Sequence, residues 1–403
     1  MRHLLILGNG IAGFSAALAI RQTDPAAEIT LIGDEPESPC RRPLLSKTFA
    51  KTFSRRRLML AEPGWQNKWQ IREISGRRIL GLDRKQHRVL LEDGQEICYD
   101  RCIYALGAKP FLPPFPGKDL QGVLTLRTAA DFAALRSRLV LAEQALVIGG
   151  GVIGLEIAWE IRQMGLSVRI LEAAPHLMGR LLDPESADFL QKRCEAAGIP
   201  VSCGISVQRL CGEKEVCGLQ LTDGTFFPAE LVLLSCGIRA ETDLARAAGL
   251  PCGRGLLADR FLQTADPDIY AAGDCLQTEI PNPGLWNYAA LSGRVAGYNA
   301  ARPEDREAES FCPAEEPLLL HACETALYAV GDRTEGPGTE TMVQIRTETE
   351  PDGKPQFLVN PHNGLLPSFH KEFYREGKLC GAVLIGDLSD MTGIRRRLTK
   401  EAF

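Results

Sequence analysis

The chain opens with short apolar runs separated by a glycine-rich turn and a stretch with helical periodicity. Residues 4–7 form an apolar run, which predicts a buried strand. A turn over residues 8–13 follows, and the alanine-rich stretch to residue 22 predicts a helix. Residues 28–32 predict a second strand. The first unit of the chain is therefore predicted to be strand, glycine turn, helix and strand.

The same order of elements recurs near the middle of the chain. Residues 145–148 predict a strand, residues 149–154 a glycine turn, the stretch to residue 163 a helix, and residues 168–171 a strand. Both turns have glycine at the first, third and sixth positions, a spacing that brings the backbone and the helix N-terminus close to a pyrophosphate. Two such units in this context predict two dinucleotide-binding folds. The glycines are Gly8, Gly10, Gly13, Gly149, Gly151 and Gly154.

An acidic residue follows the second strand of each unit. In the first unit, Asp34 or Glu35 can accept the ribose hydroxyls of an adenosine. In the second unit this residue is Glu172, with no arginine close behind it. Because a carboxylate repels a 2′-phosphate, the second fold is predicted to prefer NADH to NADPH. The alternative is that Glu172 is a solvated strand end.

Composition narrows the class of protein. The chain has 403 residues, 45% hydrophobic and 24% charged, which indicates a globular protein of two or three domains. A net charge of −5 predicts no general attraction to nucleic acid or anionic membranes, and no long uncharged apolar run predicts a membrane span. The 13 cysteines lack CxxC pairs and zinc-like spacing. We expect a cytoplasmic protein with no metal site and no targeting segment.

Two further motifs give the chain a family resemblance. Residues 104–110 (YALGAKP) are similar to the link between the nucleotide domains of the FAD-dependent pyridine nucleotide reductases, and residues 269–275 (IYAAGDC) are similar to their second FAD motif. The resemblance implies an α/β fold with two Rossmann-like dinucleotide-binding domains, for FAD and NADH, and a C-terminal α+β interface domain. It implies residues 1–115 and 238–308 for FAD, 116–237 for NADH and 309–403 for the interface domain.

The resemblance also implies FAD contacts. In the second motif, Gly273 forms the turn and Asp274 accepts a hydrogen bond from a ribityl hydroxyl, although an acid there can also cap a helix. Arg127, just before a helix-like run from Ala129, is a second candidate, and a solvated arginine is the alternative. Trp286, at a helix start beside the flavin, either touches the ring or packs at a domain junction.

Residues 42–47 (RPLLSK) resemble the ferredoxin reductase and rubredoxin reductase branch. There the lysine lies near flavin N5 and pairs with a glutamate. The matching residues here are Lys47 and Glu156, which we expect to form an ion pair, with Arg42 as a further cofactor contact. The Lys47 ammonium would stabilise negative charge on the reduced ring, and Glu156 would keep it charged and in place.

A run of basic residues suggests the electron acceptor. Seven lysines and arginines without an acid among them lie between Cys40 and Leu58. Such a basic edge would attract a small acidic redox protein, a rubredoxin or a ferredoxin, although a solvated face with FAD phosphate contacts is the alternative. The residues are Arg41, Arg42, Lys47, Lys51, Arg55, Arg56 and Arg57.

Two other functions remain open. Cys40 stands where coenzyme A disulfide reductases and NADH oxidases and peroxidases place a catalytic cysteine, but the continuation over residues 45–47 matches the other branch, and no histidine stands in the turn over residues 8–13. The chain also resembles apoptosis-inducing factors, which implies an NADH-sensing flavoprotein that acts through partner binding.

The last hundred residues form a third region. A polar stretch through residue 317 precedes strand-like segments, and residues 373–387 predict two strands around a Glu-Gly turn, followed by a helix. This region resembles the family's interface domain, which implies a possible homodimer. It also resembles parts of nitrite reductase large subunits, but the chain has no cysteine quartet for an iron–sulfur cluster, so it could at most supply electrons to such a partner.

Overall fold

The computed structural model describes residues 1–36, 39–50, 55–336, 338–346 and 367–401. Within them the strands, in chain order, are β1 (His3–Leu7), β2 (Glu28–Gly33), β3 (Arg72–Ser75), β4 (Ile79–Asp83), β5 (Arg88–Leu91), β6 (Glu96–Cys98), β7 (Arg101–Tyr104), β8 (Ala108–Pro110), β9 (Val123–Leu124), β10 (Gln144–Ile148), β11 (Ser167–Leu171), β12 (Val201–Ser202), β13 (Val207–Gly212), β14 (Val216–Leu221), β15 (Phe226–Pro228), β16 (Leu231–Leu234), β17 (Ile238–Ala240), β18 (Leu256–Leu257), β19 (Ile269–Ala271), β20 (Leu276–Gln277), β21 (Leu318–Ala322), β22 (Thr325–Gly331), β23 (Thr339–Arg346), β24 (Ser368–Arg375) and β25 (Lys378–Ile385). The helices are α1 (Ile11–Thr23), α2 (Arg55–Leu58), α3 (Trp65–Lys68), α4 (Ala129–Leu139), α5 (Val152–Gln163), α6 (Pro184–Ala196), α7 (Asp243–Ala247), α8 (Trp286–Ala301) and α9 (Met391–Glu401).

The first nucleotide fold is built on a parallel sheet with the strand order β19-β7-β1-β2-β3. Strands β1, β2, β7 and β19 are short, mostly apolar and mostly buried, as parallel sheets covered by helices require, whereas the edge strand β3 is more polar and only partly buried. Helix α1 connects β1 to β2, and α8 packs tightly on α1. An added Cβ at Gly293 would lie 2.1 Å from the carbonyl oxygen of Ala12, and one at Gly297 would lie 2.5 Å from that of Ala16. Both glycines are therefore needed for this close helix contact.

The second nucleotide fold repeats the arrangement. Its sheet has the order β12-β11-β10-β16-β9, again with parallel pairs, and α5 connects β10 to β11. The predicted strand, turn, helix and strand of both units are confirmed to within one residue at each end. The antiparallel strands β8 and β17 lie at the two crossings between the folds. Each fold also carries a small antiparallel sheet, β4-β5-β6 or β13-β14-β15.

The C-terminal region contains an antiparallel sheet with the order β21-β22-β25-β24-β23. Strands β24 and β25 meet at Glu376 and Gly377 and precede α9, which confirms the predicted hairpin and helix. One face of this sheet shares an apolar core with the second nucleotide fold, where Leu327 and Phe369 join Ile157 and Leu190. The α/β class with a third, C-terminal unit is therefore confirmed.

Among the described residues, no helix combines the length and the apolar character that crossing a membrane requires.

Candidate active site

The first glycine turn leaves an open surface at the N-terminus of α1. Gly8 has a φ of +109°, and an added Cβ there would lie 2.2 Å from the carbonyl oxygen of Ala105. At Gly13 it would lie 1.9 Å from the carbonyl oxygen of Gly8. At Gly10 it would meet no atom within 4 Å. Gly8 and Gly13 therefore allow the backbone to close, whereas Gly10 leaves space for a ligand beside the free N–H groups of the helix.

The second turn has the same geometry. Gly149 has a φ of +113°, and its Cβ would lie 2.2 Å from the carbonyl oxygen of Ser235. The Cβ of Gly154 would lie 2.0 Å from the carbonyl oxygen of Gly149, and that of Gly151 would meet nothing within 4 Å. Both turns therefore have the shape that accommodates a pyrophosphate.

The acid predicted for the second fold lies directly at this turn. The Glu172 carboxylate accepts hydrogen bonds from the backbone N–H groups of Gly150, at 2.6 Å, and Ala174, at 2.7 Å. Gly150 is needed here, because an added Cβ would lie 3.2 Å from Glu172 Oε2 and 2.4 Å from Leu177. Glu172 is thus held in one orientation at the edge of the open turn rather than projecting freely from a strand end.

In the first fold a different residue fills the corresponding space. An added Cβ at Gly33 would lie 2.0 Å from the amide carbon of Asn9, so the buried Asn9 side chain occupies the place beside the strand end. Asp34 is exposed, and Glu35 lies 2.8 Å from Arg42. Sequence reasoning missed Asn9, although its position inside the turn was a signal that it faces the ligand side.

Four of the predicted FAD residues form a single cluster. Glu35 pairs with Arg42, and Arg127 pairs with Asp274 at 2.6 Å. The Arg127 side chain is only 16% exposed, so the alternative of a solvated arginine is wrong. Asp274 does not cap a helix; it lies within a short 3₁₀ turn and its carboxylate faces Arg127. This pairing of two candidates 147 residues apart was not predicted from the sequence.

The cluster fits an anionic ligand. Burial lowers the pKa of Arg127 and the charge of the nearby Arg42 lowers it further, whereas Asp274 and Glu35 act in the opposite direction. Arg127 Nε is buried and has no hydrogen-bond partner among the described residues. The two paired guanidinium groups, the free Nε donor of Arg127 and the open turn at Gly10 are groups to which a dinucleotide pyrophosphate and its ribityl chain would bond.

The predicted ion pair between the two folds is confirmed. Lys47 Nζ lies 3.1 Å from Glu156 Oε1, and the Ser46 hydroxyl donates to Glu156 Oε2 at 2.5 Å. Glu156 is buried in α5, whereas Lys47 follows the 3₁₀ turn Arg42–Leu44 and is 44% exposed. Burial raises the pKa of Glu156, while Ser46, Lys47 and, less strongly, His321 act in the opposite direction. Ser46 was missed, although it stands beside Lys47 in the same motif.

Helix α8 begins at Trp286, as predicted. The Trp286 side chain is half-buried. The backbone N–H groups of this first turn have no partner within the helix, so the helix N-terminus can stabilise negative charge nearby. Contact between Trp286 and a flavin stays a prediction.

Cys40 lies in an environment that does not activate a thiol. Its side chain is buried, and its backbone forms an isolated bridge with Met59. Burial raises the pKa of the Cys40 thiol, Glu35 raises it further, and Arg42 only partly opposes this. The thiolate, which is the nucleophile, is therefore disfavoured.

The basic edge lines a surface depression. Arg41, Arg56 and Arg57 are exposed and border a cavity of about 720 Å³, together with Met59 and Glu62. Arg56 pairs with Glu62 at 2.8 Å. Lys51 and the side chain of Arg55 lie outside the described residues.

A group of potential metal ligands lies in the C-terminal region, where His370, Glu372 and Asp390 are close together. The Glu372 carboxylate is already bonded to Arg397 and Tyr374, so it is committed to internal contacts.

Comparison with known proteins places these features in a family. The model of a family described as pyridine nucleotide-disulphide oxidoreductase matches residues 2–293. The ferredoxin–NAD(+) reductase subunit of the benzene 1,2-dioxygenase system of Pseudomonas putida is 35% identical over 272 residues, which are 68% of this chain and 66% of that protein. A ferredoxin reductase from Rhodopseudomonas palustris has a similar structure, with a TM-score of 0.84 and 30% identity over 100% of this chain and 96% of that one.

A larger protein is similar along the entire chain. The nitrite reductase [NAD(P)H] of Bacillus subtilis is 28% identical over 402 residues, which are 100% of this chain and 48% of that protein. The matches therefore span about half to two thirds of these two curated relatives.

Proposed function

The chain belongs to the pyridine nucleotide-disulphide oxidoreductase family, and from that premise we propose that it is an FAD-containing reductase that passes electrons from NADH to a small acidic redox protein. The ion pair between Lys47 and Glu156 is the observation that carries this proposal, because it joins the two nucleotide folds at the point where two ligands would meet.

We assign FAD to residues 1–115 and 238–308, NADH to residues 116–237, and an interface role to residues 309–403. The cluster of Arg42, Arg127 and Asp274 and the turn at Gly10 support the first assignment. The orientation of Glu172 at the second turn supports NADH over NADPH. When bound, FAD would supply the step that converts two-electron hydride chemistry into single-electron transfer.

The residues of the chain prepare this chemistry electrostatically. Lys47 would place a positive charge beside the reacting ring, and Glu156 holds the ammonium in position through a 3.1 Å contact. Ser46 fixes the orientation of Glu156 by donating to its second oxygen. The N-terminus of α8 would add a further positive potential. These charges are already in position, so they would stabilise the electron-rich, reduced ring. Water molecules would first have to reorient to give the same stabilisation.

The acceptor is inferred from charge and from the named relatives. The exposed side chains of Arg41 and Arg57 would attract an acidic protein surface, and this attraction would speed encounter at low salt. The relatives from Pseudomonas putida and Rhodopseudomonas palustris are named as ferredoxin reductases, which supports an iron–sulfur or rubredoxin-type acceptor.

Anaerobic stopped-flow mixing tests the proposal. NADH should bleach the flavin absorbance, and subsequent oxidised ferredoxin or rubredoxin should restore it within the mixing experiment, with a rate that falls as salt increases. A reduced protein that persists with every acceptor would contradict electron transfer and would favour an NADH-sensing role.

Matched variants separate docking from catalysis. Arg57→Glu should slow acceptor reduction and weaken its salt dependence while leaving flavin reduction by NADH unchanged. Lys85→Glu makes the same charge change at an exposed residue away from the basic edge and should have little effect. Cys40→Ser should remain active, and loss of acceptor reduction with flavin retained would instead support the thiol-dependent alternative.

The similarity to nitrite reductase along the whole chain favours a second candidate. In that role the chain would supply electrons to a separate protein that carries the iron–sulfur and sirohaem centres. Reduction of such a partner, but not of free ferredoxin or rubredoxin, in the same stopped-flow experiment would support it.

We also propose a cytoplasmic location, which the 13 cysteines without a disulfide-like spacing support. A homodimer formed through residues 309–403 stays a prediction that sedimentation equilibrium can check.

A further inference from the structure

Two buried cysteines meet between the second nucleotide fold and the C-terminal region. Cys194 lies near the end of α6, and Cys323 lies in the turn between β21 and β22. The Cys323 thiol donates to the Cys194 sulfur at a distance of 2.9 Å, and both residues are fully buried. A disulfide needs a separation of about 2.05 Å, so the two sulfurs would have to approach by only about 0.9 Å.

The turn that presents Cys323 is strained. Cys323 and Glu324 form a two-residue connection between β21 and β22, and each has a φ of +53°. Such turns normally use asparagine or glycine, because other residues disfavour positive φ. The Cys323 side chain lies in the core, against Cys194 on α6. Strained residues of this kind cluster at sites where a particular geometry is needed.

A buried guanidinium group lies beside the two cysteines. Arg193 is buried, and its Nε and Nη1 atoms have no hydrogen-bond partner among the described residues. Its Nη2 atom donates a hydrogen bond to the Thr325 hydroxyl at 3.3 Å. Arg193 interacts electrostatically with Cys194, Cys323 and Glu324. This guanidinium can stabilise a thiolate when one of the two thiols loses its proton.

The pair is protected but close to the surface. The hydrogen bond from Cys323 and burial both raise the pKa of Cys194, which favours the protonated form of this thiol. However, the next residue on α6, Glu195, is exposed, and Glu324 beside Cys323 is half-buried. The two buried cysteines therefore have neighbours in the chain that reach the protein surface.

The location gives a disulfide a structural effect. The other end of α6 is already tied to the C-terminal region, because Lys371 on β24 bonds to Asp183 at 2.7 Å and to Glu185 at 2.9 Å. Strand β21, which leads into Cys323, packs against α5, the helix that carries Glu156. A bond at Cys194 would therefore fix α6 at both ends and hold β21 against α5.

We propose that Cys194 and Cys323 are a redox-active dithiol that forms a reversible disulfide between the NADH fold and the C-terminal region when the protein meets a hydroperoxide. The peroxide oxygen transfers to one sulfur and forms a sulfenic acid, with loss of the first water or alcohol. The second thiol attacks that sulfur and expels water. Each thiol loses one hydrogen, one S–S bond forms, and the O–O bond takes up the two electrons.

Peptide mapping of the full-length protein tests this directly. The protein is exposed to hydrogen peroxide, the excess is destroyed with catalase, and free thiols are alkylated under denaturing conditions before digestion without reductant. A cross-linked peptide containing Cys194 and Cys323 should appear, two hydrogens lighter than the sum of its parts, and should vanish after dithiothreitol. Because the bond joins residues 129 apart, oxidation should also raise the melting temperature by several degrees.

Variants make the assignment specific. Cys194→Ser and Cys323→Ser should each remove the cross-link and the rise in melting temperature. Cys203→Ser is a matched control, because this half-buried thiol contacts Gln191 on the same helix, and it should retain both effects. Arg193→Met should slow cross-linking several-fold without preventing it.

The exposed Cys98 serves as an internal standard. The proposal is overturned if Cys194 and Cys323 are still alkylated in wild-type protein whose Cys98 is fully oxidised, or if they are found as separate sulfinic acids. Because this mapping uses wild-type protein, it remains decisive even if a variant fails to fold. It also does not depend on the identity of the electron acceptor.

Discussion

The two nucleotide folds share one backbone design but fill it with different side chains. Leu7 is paired with Ile32 in the first sheet, and Ile148 is paired with Leu171 in the second. Gly33, the last residue of β2, and Glu172, the residue after β11, therefore occupy the same register position. The second residues of the turns correspond in the same way, and they are Asn9 and Gly150.

At these two aligned positions the folds differ in which one carries the polar side chain and which one carries the glycine. In the first fold Asn9 fills the space beside Gly33, and in the second fold Glu172 fills the space beside Gly150. The glycines at the open positions make each fold able to accept a dinucleotide, whereas the surrounding side chains distinguish the two. The first fold adds Arg42, which pairs with Glu35, and Asp274, which pairs with Arg127 from residues 116–237. The second fold adds a carboxylate bonded to the turn.

The largest expected effects come from the glycines that close the backbone. Gly8→Ala would force a side chain to a φ of +109° and 2.2 Å from a carbonyl oxygen, and Gly149→Ala would do the same in the second fold. Strain of about 1–3 kcal/mol plus the clash should reduce nucleotide binding by roughly 100-fold or more. We expect Gly8→Ala to lose bound flavin and Gly149→Ala to keep flavin but lose reduction by NADH, measured by absorbance.

Gly10→Ala and Gly151→Ala are the controls, because an added Cβ there meets no atom within 4 Å. Both should keep the wild-type melting temperature without ligand. Equal loss of flavin in Gly8→Ala and Gly149→Ala would break the assignment of one cofactor to each fold.

The next effect should be confined to the first fold. Asp274→Asn removes the partner of the buried Arg127 guanidinium, and losing a charged hydrogen bond costs about 1.5–3 kcal/mol. FAD affinity should fall by roughly 30-fold, measured by fluorescence titration of the apoprotein, while NADH binding is unchanged. Asp268→Asn, a half-exposed acid on the same fold, should bind FAD normally. Normal FAD affinity in Asp274→Asn would remove Asp274 from the FAD site.

A smaller effect is expected at the second fold. Glu172→Gln keeps the size of the side chain but removes the negative charge that we propose accepts the ribose hydroxyls of NADH. The KM for NADH should rise by roughly tenfold, with little change in kcat. The ratio of kcat/KM for NADH to kcat/KM for NADPH should therefore decrease. Steady-state kinetics with both cofactors measure this. Asp34→Asn makes the same change in the first fold and should leave the KM for NADH unaltered. An equal rise of this KM in Asp34→Asn would contradict the assignment of NADH to the second fold.

The smallest effect concerns the pair that joins the folds. Burial raises the pKa of Glu156, so the folded protein holds this proton more tightly than the unfolded chain. The contribution of Glu156 to stability is therefore fully present below pH 4.5 and is lost as the pH rises through its raised pKa. Glu156→Gln mimics the protonated form and should remove this dependence.

Melting temperatures of the apoprotein, measured between acidic and neutral pH, test whether the stability contribution of Glu156 is lost as the pH rises. The difference between Glu156→Gln and wild type should shift by a few degrees in favour of the variant as the pH rises. A difference that stays constant with pH would mean that the Lys47 contact compensates the burial of Glu156 fully.

Local patterns explain what could be predicted from the sequence. The strands and helices around Gly8 and Gly149 follow from apolar periodicity and from turns that only glycine can form. The contact between Lys47 and Glu156 followed from a family motif, since no local rule brings residues 109 apart together. The hairpin at Glu376 and Gly377 was visible because its turn residues interrupt two alternating runs.

The missed features depend on contacts distant in sequence. Asn9 and Gly33 in the first fold correspond to Gly150 and Glu172 in the second. Recognising this correspondence requires the register of the paired strands, and the hydrophobic pattern of the sequence does not give that register. The pairing of Arg127 with Asp274 and the meeting of Cys194 with Cys323 arise only when separate sheets pack together. Buried polar pairs of this kind leave no periodic signal.

The first sheet ends with β19, a strand from residues 269–271, and α1 is covered by α8 from residues 286–301. During synthesis, the opening segment of the chain therefore cannot complete its sheet until these late segments have left the ribosome. Residues 116–237, in contrast, include every strand of the second sheet. Domains generally fold as units as they emerge. The sheet of the second fold is thus the first that can form completely, and the chain's beginning is among the last parts to reach its final structure.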